Sequence, residues 1–295
     1  MSKQLQVLYA TPMLLGECPL WHPEENVLYW IDITGKAVHR HDPINEVHRS
    51  WALPSEPGCI AWCEGGGLVV AMRSGIALLD TTTGSLAPIA SAPYDTSKIR
   101  FNDGRCDAAG RLWAGTLYEP RDHAAGSLFC IDRGVVRDVG KPVTVSNGVA
   151  FSGNSRRLYH TDTTAHRIMA YEYDLGTAQI DDGHLFHQFS TDKSKDYGGR
   201  PDGAAVDSED AYWCAMYEGA RILRFSPEGD VLREISLPVR CPTMVAFGGP
   251  DLQTLFITSA RHNRSDDELS QYPLSGCVLA LRLDVKGRVE SAYKR

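Results

Sequence analysis

RPDGAAVDSEDAYWCAMY, residues 200–217, reads as a polar turn carrying Asp202, a short apolar strand, a tight turn and a second strand rich in aromatics. Versions of this unit recur along the chain. Aligned on the residue that closes the first strand, they are ECPLW (17–21), GCIAW (58–62), NDGRC (102–106), NGVAF (147–151), DGAAV (202–206) and TMVAF (243–247). Behind each comes a turn and a second strand: NVLYWIDI, GLVVAM, RLWAGTL, RLYHTDT, AYWCAMY and TLFITSA. Successive copies start 41, 44, 45, 55 and 41 residues apart. A period of about 40–45 residues built from short strands marks a β-propeller, one blade per period. Helical repeats of similar period need apolar positions at i, i+3, i+4 and i+7 over long windows. Here the apolar runs are short and bounded by turn residues. The expectation is an all-β, six-bladed β-propeller that takes up residues 1–295 as a single domain.

Residues 3–10 (KQLQVLYA) alternate as a strand should, and residues 277–283 (CVLALRL) do likewise. An open ring would expose sheet edges, so one blade is expected to take strands from both termini. Hydrophobic content of 43% fits one soluble all-β unit. A net charge of −7 with both signs interspersed argues against a nucleic-acid partner. No apolar run approaches the roughly 18 residues of a membrane span. The start, MSKQLQVLYATPML, lacks the layout of a signal peptide, so a cytoplasmic location is expected. The eight cysteines form no CxxC pair and mostly sit in apolar strands, where a reduced thiol acts as a small hydrophobe. Three polar loops break the period: residues 118–127, 190–200 (the main source of the 55-residue interval) and 261–276. Such loops are either solvated connectors or, gathered on one face, carriers of function.

Equivalent positions in a propeller fall on a ring around the central channel. The residues that open the six copies are Glu17, Gly58, Asn102, Asn147, Asp202 and Thr243. They present two carboxylates and two carboxamides to one small volume, with Gly58 leaving room. Converging acidic and amide oxygens repel and desolvate badly without a cation among them. All-oxygen ligation suits calcium, magnesium or manganese, and tolerates zinc. The competing reading is that these Asn and Asp residues start turns and bond their own backbone. Their recurrence in register favours one divalent metal ion.

LGECPLW (15–21), RFNDGRCDAAGRLWAGT (100–116), SNGVAF (146–151) and RPDGAAVD (200–207) together resemble the family of senescence marker protein 30 (regucalcin), gluconolactonase and related sugar lactonases. TSAR (258–261) followed by DELSQYPLSG (267–276) extends the likeness over nearly the whole chain. The resemblance implies a catalytic divalent metal held by Glu17, Asn147 and Asp202. It also implies that Arg100 and Asn102 contact a sugar substrate. Glu119 is similar to an acidic family residue, but Pro120 stands where members such as regucalcin carry a second Glu.

Metal-dependent hydrolysis of a sugar lactone, an aldonolactone or aldarolactone, follows as the expected activity. Such a hydrolase must polarise an ester carbonyl, deliver water and stabilise an oxyanion. Asp202 is the candidate general base, provided it binds metal through one oxygen and keeps the other free. Arg100 and Asn102 would orient hydroxyls or a second carboxylate. No GxSxG elbow is present, and Ser259 has no evident His and Asp partners. No histidine stands in an HExxH motif, although His262, in a loop expected at the channel mouth, is a further candidate to meet substrate. Trp21, Trp30, Trp62, Trp113 and Trp213 read as packing between blades. Two other readings stay open: a metal-dependent phosphotriesterase on the same scaffold, and a non-catalytic calcium-binding propeller.

Overall fold

Each copy of the repeat folds as an antiparallel sheet in the computed structural model, which describes residues 5–195 and 197–295. The first sheet runs Gly16–His22, Val27–Asp32, Ala37–Asp42 and Val47–Ala52 from the channel outward. The next four occupy residues 57–91, 99–138, 146–188 and 200–236. The sixth, residues 242–282, takes Leu5–Tyr9 as its outer strand, paired antiparallel with Val278–Arg282. It therefore draws strands from both ends of the described chain. Six sheets in a propeller arrangement match the period read from the sequence.

Burial explains the two kinds of strand pattern. Inner strands have a neighbouring blade on each face and are buried almost throughout, as in Gly16–His22 and Pro242–Gly248. They therefore read as continuous runs, whereas outer strands such as Val231–Ser236 alternate between exposed and half-buried positions. Trp30, Trp113 and Trp213 are wholly buried between blades, and all eight cysteines are buried free thiols. A device repeated in blades three and five went unread in the sequence. Asp107 and Asp207 each accept the indole N–H of the tryptophan six residues on, at 2.9 and 2.8 Å, and each also binds an arginine. The spacing D-x5-W was its available signal.

The long fourth interval has two sources. Gln179–Ile180 and His184–Gln188 both pair with Arg167–Asp174, giving this blade a fifth strand, and the polar loop adds the rest. The helix among the described residues, Asp266–Gln271, lies within the third loop and is capped by Ser265, whose side chain accepts from the Glu268 amide. No described helix is long and apolar enough to cross a membrane.

Thr243 joins the sixth blade to the first. Its hydroxyl donates to the Gly16 carbonyl at 2.6 Å and lies 2.9 Å from the Thr258 hydroxyl. Thr243→Val keeps the shape and strands a buried carbonyl. We expect it to lower stability by about 1–2 kcal/mol, read as a shift in the denaturant midpoint. An unmoved midpoint would remove this contact from the seam.

Candidate functional site

Every inner strand carries a register shift at its ring position. The shifts fall between Glu17 and Leu20, Pro57 and Cys59, Phe101 and Gly104, Asn147 and Ala150, Pro201 and Ala204, and Pro242 and Met244. A bulge breaks the strict alternation of a strand and re-aims a side chain. Two residues beside these positions hold positive φ: Gly148 at 59° and, unusually for a side-chain-bearing residue, Cys18 at 47°.

Glu17, Asn102, Asn147 and Asp202 line one cavity, together with Arg100. The other two ring positions do not. A β-carbon on Gly58 would lie 2.3 Å from the Phe101 carbonyl carbon, so its missing side chain admits the backbone of blade three. This corrects the expectation that Gly58 leaves room for a ligand. Thr243 is turned into the seam described above.

A hydrogen-bonded chain fixes the amides. Arg100 Nη1 donates to Asn102 Oδ1 at 2.6 Å and to the Phe101 carbonyl at 2.9 Å. Asn102 Nδ2 donates to the Ser146 carbonyl at 2.8 Å and to Asn147 Oδ1 at 2.7 Å. Asn147 Nδ2 donates to Thr163 Oγ1 at 2.8 Å, and that hydroxyl donates to the Pro201 carbonyl at 2.7 Å. With Nδ2 donating to Thr163 and one Oδ1 lone pair taken by Asn102, Asn147 keeps its second Oδ1 lone pair free to coordinate a cation. Both N–H groups of Asn102 are engaged, which leaves its oxygen as the group able to meet substrate.

Glu119 stands apart from the cavity lining, held by Arg73 at 2.5 and 3.2 Å. Arg121, from the same loop, lines the cavity instead; so do Arg200, Tyr217 and His262. Asp103 went unread because alternation places it on the face opposite Asn102. It is buried, accepts from the Val149 amide at 3.0 Å through Oδ2, and leaves Oδ1 without a partner.

The SMP-30/gluconolactonase/LRE-like region model matches residues 15–261. The chain belongs to this family. It is similar, at 47% identity over 99% of both chains, to a 6-deoxy-6-sulfogluconolactonase from Pseudomonas putida. It is 36% identical to a pentonolactonase from Haloferax volcanii, over 95% of this chain and 94% of that one. Among solved structures it resembles a calcium-binding protein, regucalcin, from Agrobacterium tumefaciens, with a TM-score of 0.94 and 30% identity over 99% and 98% of the two chains.

The electrostatics of the cavity test whether family-type metal binding fits these residues. Glu17 and Asp202 are both held well above the usual carboxylate range. For Glu17 the causes are burial, then repulsion from Asp202 and Asp103; for Asp202 they are burial, then Asp103. Arg100 forms an ion pair with neither, its Nη1 donating to Phe101 and Asn102, and its charge offsets only a minor part of the upward shift of each. Among the described residues no three His, Cys, Asp or Glu side chains cluster as a metal site. The oxygen set reaches three donors through the Asn147 amide. Two buried, mutually repelling carboxylates plus an oriented amide oxygen suit a hard divalent cation.

This fit carries a pH dependence. In the folded, metal-free protein the raised carboxylates retain protons that the unfolded chain releases near pH 4. Their contribution to stability is therefore present below that value and is lost as pH rises through the raised folded values. An ion binds the ionised forms and opposes this loss. The rise in Tm on adding a divalent ion to chelator-stripped protein should grow steadily as pH is raised above about 4. A rise in Tm independent of pH would contradict ligation by these two groups.

Proposed function

We propose that the protein is a divalent-metal-dependent sugar lactonase that opens an aldonolactone or aldarolactone to the free acid. The observation that carries this reading is the convergence of Glu17, Asn147 and Asp202 on one cavity beside Arg100 and Asn102. The names of the Pseudomonas putida and Haloferax volcanii relatives, both lactonases, support the reaction class.

Glu17, Asn147 and Asp202 would hold the ion. When bound, it would act as a Lewis acid on the lactone carbonyl and its developing oxyanion. Asp202 has the further task of accepting the proton of the attacking water through an oxygen not spent on the ion. Its raised proton affinity without metal makes it a stronger base than a solvated carboxylate, and ligation tempers this. Arg100, oriented by Asn102 and the Phe101 carbonyl, donates to an oxygen of the substrate, and Asn102 Oδ1 accepts from a hydroxyl. Burial lowers the Arg100 guanidinium to about 10, still cationic at neutral pH.

The test is hydrolysis of five- and six-membered sugar lactones by chelator-stripped protein with single divalent ions restored. We expect activity to fall to background on stripping and to return with at least one ion. Metal retention with no turnover on any lactone would reject the enzymatic reading. It would favour a calcium-binding role, the description carried by the Agrobacterium tumefaciens neighbour.

A further inference from the structure

The three loops that interrupt the repeat each deliver a nitrogen-bearing side chain to the cavity lining: Arg121, Arg200 and His262. Their partners reveal a surplus of cationic groups. Arg121 is exposed, and its guanidinium has no hydrogen-bond or ion-pair partner among the described residues. Arg100 also lacks a carboxylate partner. Glu119, the nearby acid that could neutralise them, is committed to Arg73. On the other side of the site, Glu218 is shared by Lys193 at 3.0 Å, Arg200 at 3.2 Å and Arg264 at 3.3 Å. One carboxylate faces three cations there, with Glu268 3.6 Å from Arg264 as a further acid.

Two polar atoms in this group are buried and unsatisfied: Arg200 Nε and His262 Nδ1, the latter carrying the ring proton when Nε2 accepts from Asn263 Nδ2 at 2.9 Å. A buried polar atom without a partner costs on the order of 1–3 kcal/mol unless a ligand or water meets it. The carboxylates of the cavity are the proposed metal ligands and cannot serve as those partners too. Positive charge on Arg100 and Arg121 therefore has no protein counterpart and that on Arg200 has only a third share in Glu218, while negative charge at Glu17 and Asp202 is reserved for the ion.

We infer that Arg121, His262 and Arg200 form a subsite for a fixed anionic group on the substrate, remote from the lactone carbonyl that the metal end receives. The inference rests on the lactonase reading and narrows its substrate class to lactones with a sulfonate, carboxylate or phosphate at the far carbon. Guanidinium donors suit all three because planar N–H pairs match their oxygens in a bidentate manner. A neutral polyol would leave the unpaired guanidiniums unmatched. The same guanidinium repulsion acts on His262, which burial and then Arg100 and Arg264 hold below its ordinary value. His262 is thus a neutral donor beside charged ones at neutral pH.

The experiment compares kcat/KM of the metal-loaded protein on glucono-1,5-lactone and on its 6-sulfonate, 6-carboxylate and 6-phosphate counterparts at fixed ionic strength. We expect at least one anionic lactone to exceed the neutral one by roughly ten- to hundredfold, the range of a charge-assisted hydrogen bond. The most favoured member names the anion. R121Q should cut that preference roughly tenfold, chiefly through KM, and H262N should cut it less. Equal use of neutral and anionic lactones, or a preference unmoved in R121Q, would overturn the subsite. Calorimetry with gluconate and gluconate 6-sulfonate separates this from failure of the lactonase reading. Tighter binding of the sulfonate, lost in R121Q, supports the subsite even without turnover, and equal binding overturns it.

Discussion

Asp202→Asn is expected to lower kcat on the preferred lactone by about 10²–10⁴-fold, the usual yield of a positioned general base. The substitution keeps size and one oxygen, so an ion can still be held by Glu17, Asn147 and the new amide oxygen. What it removes is the ability to accept a proton. Metal content and KM decide between two roles for this residue. Retained metal with a collapsed kcat assigns proton transfer to Asp202. Lost metal, with activity restored by excess ion, assigns it to ligation alone. Retained metal with kcat within a few-fold of the parent would remove Asp202 from the chemistry. Glu17→Gln provides the contrast: its main expected effect is weaker metal binding, because Glu17 already accepts the Cys18 amide at 3.1 Å and is a ligand in this scheme.

Glu290→Ala is expected to destabilise the fold by about 3 kcal/mol, at the lower end for breaking a buried ion pair, because Arg105 is buried and Glu290 half-buried. Residues 286–295 run beneath the ring as a strap. The Ser208 amide donates to the Lys286 carbonyl at 2.9 Å, and Arg288 reaches the Gly153 carbonyl at 2.9 Å. The Trp62 indole donates to the Glu290 carbonyl at 2.9 Å, and the Tyr293 amide donates to the Trp62 carbonyl at 2.7 Å. Three blades, the second, fourth and fifth, are tied by these contacts alone. At the centre Glu290 pairs with Arg105, a buried residue that also donates to the Val149 carbonyl at 3.0 Å and the Ala204 carbonyl at 2.5 Å. Burial works against the Arg105 charge, and Glu290 more than restores it. Asp103 also favours that charge, which keeps the expected loss at the lower end. Chemical denaturation reads the effect. A change below about 1 kcal/mol would place the pair with exposed ion pairs.

Glu17, Asn102, Asn147 and Asp202 were legible as a ring because each opens a copy of a strand-turn-strand unit, and equivalent positions in equivalent units meet at a channel. Arg100 was legible through its motif. His262 was legible as a loop histidine, but its neighbours were not. Arg121, Arg200 and Asp103 were not read as part of the site. Arg121 lies next to the better-matched Glu119, and which of the two turns inward depends on the hold that Arg73 of another blade has on Glu119. Asp103 adjoins Asn102 but does not line the cavity; it bears on the site through its charge, which repels Glu17 and Asp202.

Local chemistry thus determined the number of sheets, their boundaries and the ring positions, since turns and strand patterns are set by residues a few places apart. Tertiary structure decided which ring positions are open to a ligand. Gly58 is filled by the backbone of the next blade and Thr243 is drawn to Gly16, contacts between segments 43 and 227 residues apart in the chain. It also decided the balance of charge, because Glu119 and Glu218 are claimed by arginines and a lysine from separate loops. Pairing of that kind depends on distance in space, and a repeat pattern contains no term for it.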